Sequence, residues 1–263
     1  MGLGSFVPIK SIAGRVMIGS AMIPLVLLFS NVLAGVEFSK MFWPLILVGG
    51  IGCVGFLWTI VREKGWIAFL NPAFTLPLLF AIILSLVEEP GYQIFDWDEF
   101  SSWMYWSKEA YLTDTLSASA MRWRGLGYPQ GWPLAVVFPQ LAFENFNPHR
   151  SLVVGVVWQA GVLGLVYEIS LAYLRRFTIL MDHASRAIGY VVVFSLMIVE
   201  ALYTYVPQNF LIELPQIYVI SAIFLLPMLA ALGEERLRAT ALAMGLLLSG
   251  GLMLKLPVLA VMP

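Results

Sequence analysis

The sequence predicts an all-α integral membrane protein that crosses the bilayer several times, and three observations carry that prediction. Of the 263 residues, 60% are hydrophobic and only 12% charged, against about 25% charged in an ordinary soluble domain. Mean hydropathy is +0.86. The apolar residues are also gathered into long runs of roughly the 20 residues that a spanning helix needs. These runs cover about 16–35, 42–61, 66–87, 151–174, 187–206, 212–232 and 239–258, which gives about seven transmembrane helices.

Taken in order, the first run follows Lys10 and Arg15, as in a signal peptide, but it lacks a clear small-x-small cleavage site. It therefore reads as a retained signal anchor. Spans one and two form an N-terminal pair over residues 1–65, and residues 66–263 form the core. Cys53 is the single cysteine and lies inside an apolar run, which excludes an intramolecular disulfide and a cysteine-based metal site. The net charge of −1 gives no electrostatic case for binding nucleic acid or for a polybasic lipid-binding tail.

Between the third and fourth runs comes a polar break, and after it an apolar piece from Trp132 to Phe146 that is short for a crossing and carries Pro133, Pro139, Gln140 and Glu144. If this piece stays on one side, Lys10, Arg15, Arg62, Lys64, Arg175, Arg176, Arg186, Arg236 and Arg238 all face the cytoplasm. Lys40, Lys108, Arg122, Arg124, Arg150 and Lys255 then lie outside, four of them in one long loop that counts little in the positive-inside rule. If it crosses, five arginines from 175 to 238 move outside in short loops, where the bias is strongest. The first arrangement is the consistent one. It makes 88–150 a single outward-facing loop and puts the N-terminus in the cytoplasm.

That loop is expected to hold two helices lying on the membrane surface. The first, about 99–113, has Phe100, Trp103, Met104, Trp106, Ala110 and Tyr111 on an apolar side, with Ser101, Ser102, Lys108 and Glu109 elsewhere. Tryptophan and tyrosine favour the headgroup level, so an interfacial helix is expected. The second, about 133–147, starts at Pro133, a residue well suited to a first helical position. The chain stops at Val261-Met262-Pro263 without a closing loop, which suggests an incomplete bundle or a partial reading frame.

The chemistry-bearing residues crowd into the same loop. Glu88 and Glu89 read as end-of-span residues, and Asp96-Trp97-Asp98-Glu99 as the centre of interest. A carboxylate beside Trp97, Trp103 and lipid is partly desolvated, which raises its pKa and makes it a better general base for a hydroxyl. The same four residues also spell a capping-box-like D-x-x-E. Both readings hold together if Asp96 caps and Asp98 faces the site. Asp-x-Asp also offers hard oxygen ligands to Mg²⁺ or Mn²⁺, although matches this short arise often by chance.

Arg122 and Arg124 flank Trp123 and suit a bidentate clamp on a lipid-linked phosphate; the alternative is arginines that snorkel to headgroups. Lys255 lies near the outer end of an apolar span, where an ionisable residue is a functional candidate. Glu213 opens the sixth span, and Glu200 lies about a turn and a half inside the fifth; either can line the same cavity or sit at the interface. His149, Asp182 and His183 lack ligand spacing. The sequence contains no Gly-rich phosphate loop, no serine nucleophile elbow and no HExxH, so a cytosolic nucleotide-sugar or ATP site has no visible basis.

At these residues the chain resembles the GT-C glycosyltransferases, polytopic enzymes that use polyprenyl-phosphate sugars, and among them the bacterial relatives of protein mannosyltransferases. The likeness rests on Asp98-Glu99-Phe100-Ser101-Ser102-Trp103 with Lys108-Glu109-Ala110, on Tyr128-Pro129-Gln130-Gly131-Trp132-Pro133-Leu134, and on Glu213-Leu214-Pro215, with Glu where the family has Asp. Lys255 resembles a lysine that precedes an acidic residue in the family; here Leu256-Pro257 follows instead. The resemblance spans roughly 66–258.

It implies a GT-C-like helical bundle with a long catalytic first outer loop, and an inverting transfer at the outer face of the plasma (inner) membrane. Asp98 is the implied general base and Glu99 its catalytic neighbour. Asp96, Trp103, Lys108, Arg122, Arg124, Tyr128, Glu213 and Lys255 are the implied substrate-binding residues. The implied partners are a polyprenyl-phosphate-linked sugar donor, membrane lipid and an acceptor glycan, lipid or protein, with no nucleic acid. No cofactor is implied, because lipid-monophosphate donors in this class go with metal-independent chemistry. The rival from another class is a transporter or flippase using Glu200, Glu213 and Lys255 along a path. Transporters show internal repeats and matched broken helices, which the sequence does not. A non-catalytic membrane scaffold is the third alternative.

Overall fold

The computed structural model describes residues 2–86, 102–122, 129–177, 181–203 and 213–254. Among the described residues every regular element is helical. They are α1 (Ile12–Ala34), α2 (Phe38–Lys64), α3 (Pro72–Leu86), α4 (Met104–Thr113), α5 (Ala118–Met121), α6 (Gly131–Val137), α7 (Pro148–Phe177), α8 (Asp182–Tyr203), α9 (Glu213–Ala231) and α10 (Leu237–Leu254). Short 3-10 turns occur at Leu3–Phe6, Trp66–Leu70 and Phe138–Gln140. Among the described residues α1, α2, α7, α8 and α10 are long and apolar enough to cross a membrane, whereas the runs at 66–87 and 212–232 give the shorter apolar helices of α3 and α9. The chain is an all-α protein with the helices of a membrane-embedded one.

Local chemistry sets the ends of these helices. Ser11 caps α1, its hydroxyl accepting from the Gly14 N–H, and Gly35 closes the helix in the left-handed region at φ 62°, where glycine carries no Cβ penalty. The α7 helix runs through the middle of the bundle, with α1, α3, α8 and α9 packed around it. Small residues permit these close approaches, as is usual between membrane helices. A Cβ on Gly161 would lie 2.4 Å from Met17 Sδ, and one on Gly164 would lie 2.7 Å from the Ala13 methyl. Gly250 of α10 backs onto Ala21 of α1 in the same way. The α2 helix is peripheral and presents Trp43, Leu47, Ile51, Val54 and Trp58 outward, a surface suited to hydrocarbon.

One end of the bundle is basic. Arg15, Arg62, Arg236 and Arg238 stand at these helix ends. Lys10, Arg175 and Arg186 line one cavity there together with Glu168, Glu234 and Glu235, and Arg176 donates to the Ala231 carbonyl at the close of α9. The α3 helix starts at this end and α7 finishes there. The chain between them therefore leaves and returns at the opposite end, where Asp114 bonds Ser39 at the start of α2.

Both expected surface helices differ from expectation. The first is helical from Met104 to Thr113, preceded by a π-type turn at Ser102 and Trp103. Its apolar side packs on protein and not on headgroups: Trp103 and Trp106 are 4% and 2% exposed and meet edge to face at 5.2 Å, with α6 packed against α4. The second does not reach residue 147. It ends at Val137, gives way to a 3-10 turn, and is buried along its whole length. Gln140 accounts for the stop. Its amide donates to the Asn147 carbonyl and the Ser151 hydroxyl, and its carbonyl accepts from the Asn147 N–H. One side chain thereby turns 141–147 back into the start of α7.

Candidate functional site

The carboxylates expected to do chemistry, Asp96, Asp98 and Glu99, lie outside the described residues, as do Arg124, Tyr128 and Lys255. Glu213 is placed through its backbone as the first residue of α9. Lys108 and Arg122 are exposed, on α4 and just past α5, and among the described residues neither forms an ion pair. Trp103 is a packing residue against Trp106 and is not open to solvent.

What the structure does assemble is the platform around these positions. Glu109 accepts from the Ser117 hydroxyl and from both the N–H and hydroxyl of Ser119, 3.2 Å each for the latter two. Ser117 itself caps α5 by accepting from Ala120 N–H at 3.1 Å. The Gln130 amide then donates to the Ser117 carbonyl at 3.3 Å, tying the start of α6 to the start of α5. Gly131 touches α10 so closely that a Cβ there would stand 2.5 Å from the Met253 carbonyl oxygen. Ser151 of α7 donates to the Val136 carbonyl at 2.7 Å. Thus Gly131, three residues after Tyr128, touches Met253, two residues before Lys255, and the helix carrying Lys108 is bonded to the one that leads to Arg122.

Two further polar clusters lie among the helices. Gln159 of α7 donates to Glu200 of α8 at 2.7 Å, and the Tyr218 hydroxyl of α9 donates to the other Glu200 oxygen. Glu200, expected near the cavity or at the interface, is thus held between two neighbouring helices. A carboxylate inside the bundle costs little only when paired or bonded in this way.

The second cluster was not anticipated from the sequence. Glu168, two-thirds along α7, accepts from the Ile12 N–H (3.0 Å), the Ala13 N–H (3.2 Å) and the Asn71 amide (2.8 Å) through one oxygen, and from the Ser11 hydroxyl (2.5 Å) through the other. Asn71 in turn accepts from the Ala73 N–H at the head of α3, and Glu235 accepts from the Ser11 N–H. Orphan N–H groups at a helix start attract carboxylates, so this cluster is an anchor joining α1, α3, α7 and the α9–α10 connection. It borders a cavity of about 100 Å³. The available signal was a lone glutamate inside the apolar run 151–174. Among the described residues no three metal-ligating side chains converge.

Comparison with known proteins finds no matching family model, no matching curated protein and no matching solved structure.

Proposed function

We propose that the chain is a GT-C-type membrane glycosyltransferase that moves a sugar from a polyprenyl-phosphate donor to an acceptor hydroxyl at the outer face of the membrane. Asp98 takes the proton from the acceptor hydroxyl as its oxygen forms the new bond to the anomeric carbon. The bond from that carbon to the phosphate oxygen breaks, with inversion, and polyprenyl phosphate leaves. Arg122, Arg124 or Lys255 stabilises the charge that gathers on the departing phosphate, where preorganised cations act most strongly.

The observation that supports this reading is a convergence. The helix after the acidic run, the helix leading to Arg122, the residue next to the Tyr128 turn and the residue near Lys255 belong to one bonded platform at the end of the bundle opposite the basic one. Described segments that flank the candidate residues, from α4 and α6 to the end of α10, thereby pack together. A second reading, a transporter for a lipid-linked or small polar substrate, is favoured by the Glu200–Gln159–Tyr218 bonds inside the bundle.

The test is Asp98→Asn in membranes supplied with a radiolabelled polyprenyl-phosphate sugar. Transfer is expected to vanish with insertion and expression unchanged. Wild-type transfer by the variant would remove Asp98 as the base, and a wild-type protein that consumes no lipid-linked donor would remove the enzyme reading itself.

A further inference from the structure

Away from this platform, at the basic end, α1, α2 and the 3-10 turn Leu3–Phe6 enclose a cavity of about 490 Å³. Its polar wall carries Lys10, Arg15 and Glu63, and its apolar wall includes Ile51, Gly55 and Phe56. Since Ile51 stands thirteen residues before the α2 terminus and Glu63 only one, the cavity runs roughly 18 Å along the helix at 1.5 Å per residue. The charges sit near the helix ends, and the apolar part continues along the exposed side of α2 at Gly55 and Ile51.

The Arg15 guanidinium is fixed in place. Its Nε donates to the Ile9 carbonyl at 2.7 Å and an Nη to the Ser5 carbonyl at 2.9 Å, and it lies 3.9 Å from the centre of the Phe56 ring. A guanidinium has five N–H donors, so two are occupied and three are left for a ligand. Among the described residues neither Arg15 nor Lys10 is ion-paired. Glu63, also without an ion pair there, is the carboxylate that shares their cavity. Glu235 also lies within electrostatic reach of Arg15, while it accepts from the Ser11 N–H.

We propose that this cavity holds a zwitterionic phospholipid, with its phosphate on Arg15 and Lys10, its ammonium at Glu63 and the start of its acyl chain along Gly55 and Ile51. With Glu235 acting on Arg15, the two cations are balanced by two carboxylates, and Glu63 in the cavity wall gives an ammonium a partner that an anionic headgroup would leave unmatched. Basic pockets between membrane helices are established headgroup sites, and the apolar continuation answers to a chain and not to a free ion. The site lies at the end of the bundle opposite the proposed sugar-transfer platform and does not depend on that activity.

Gly55 offers a clean test, because a Cβ there meets no atom within 4 Å. Gly55→Leu therefore obstructs the chain path without disturbing packing, and leucine favours the helix. The purified full chain in a neutral, phosphate-free detergent is titrated with short-chain phosphatidylethanolamine, with phosphatidylglycerol of the same chain length and with inorganic phosphate. Binding is read from the rise in melting midpoint with ligand concentration.

Phosphatidylethanolamine is expected to bind more tightly than phosphatidylglycerol. Gly55→Leu and Lys10→Gln should each weaken it about tenfold, the effect of losing one charged or chain contact of about 1.4 kcal/mol. Glu63→Gln should weaken phosphatidylethanolamine and strengthen phosphatidylglycerol. Arg15→Gln should also weaken binding; because Arg15 holds Ser5 and Ile9, the decision rests on the other three variants. Equal binding by wild type, Gly55→Leu and Lys10→Gln would overturn the proposal. So would stabilisation by inorganic phosphate as strong as by lipid, or a Glu63→Gln variant with an unchanged headgroup preference.

Discussion

Replacing Glu168 by alanine is expected to lower the melting midpoint of the detergent-solubilised protein by roughly 10 °C, and replacing it by glutamine by only about 3 °C. Glu168 accepts four hydrogen bonds, three of them on one oxygen. Two come from first-turn N–H groups of α1 that have no partner inside their own helix. Bonds to a charged acceptor contribute about 1.5–3 kcal/mol each. The adjoining cavity of about 100 Å³ is large enough to admit water to some of the abandoned donors, so the loss is less than the sum, about 3–4 kcal/mol. For a chain of this size each kcal/mol moves the midpoint by about 2–4 °C.

Glutamine keeps an oxygen where three of the four donors point. It gives up only the attraction between a full negative charge and the α1 N-terminus, about 1 kcal/mol. The gap between the two variants is therefore the signature of an acceptor role. Unfolding followed by far-ultraviolet circular dichroism measures it. Equal large losses would mean that charge and not bond acceptance organises the anchor, and two negligible losses would mean that the anchor carries no stability.

The platform at the other end makes two further claims. Gly131→Val should cost about 2 kcal/mol or more, because its Cβ would meet backbone of Met253 at 2.5 Å and α6 must back away from α10. Gly245→Ala, on the same α10 but facing open space, should stabilise by about 0.5–1 kcal/mol; thermal midpoints that fail to separate the two refute the contact. Asp114 sits at φ 54° and accepts from Ser39 at the start of α2. Asp114→Ala loses those bonds and keeps the strained backbone, whereas Asp114→Gly loses the bonds and relieves the strain. Alanine should therefore be less stable than glycine by about 1 kcal/mol, and the reverse order would refute the left-handed turn.

Hydropathy located the long helices because a run of apolar residues between Gly, Pro and Arg has one economical conformation near lipid. It could not say what each apolar face would touch. Trp103 and Trp106 have the composition of a headgroup-level helix, yet they are buried because α6 arrives beside them, and nothing local in 99–113 encodes that neighbour. The length of α6 was misjudged for a similar reason. Pro133 signals a start, but the stop lies in Gln140, whose partners Asn147 and Ser151 belong to the next element. Glu168 escaped notice because its partners are backbone N–H groups more than 150 residues earlier, which no spacing rule reports. The acidic run that motivated the proposed base, 96–99, was conspicuous in the sequence and lies outside the described residues.

The two ends of the bundle are fastened by different means, and this bears on where a substrate can act. At the basic end, carboxylate bonds to helix starts join α1, α3, α7 and the α9–α10 connection. Separating any of these strands a buried charge or an unpaired N–H, so motion there is costly. At the opposite end, α4, α5 and α6 are short; α6 is buried along its length against α1, α4 and α10, and bonds such as Ser151 to Val136 and the pair from Ser39 to Asp114 complete the junction. Each of those bonds is worth about 1 kcal/mol, so α6 is held mainly by its buried side chains, whereas α4 and α5 keep exposed faces and are the parts within reach of a ligand's binding energy. A reaction that must admit a lipid-borne donor and then exclude water needs a rigid frame with a yielding rim. On the proposed function the frame would be the Glu168 anchor, and the part free to yield would be the short, partly exposed α4 and α5, which follow the acidic run in sequence.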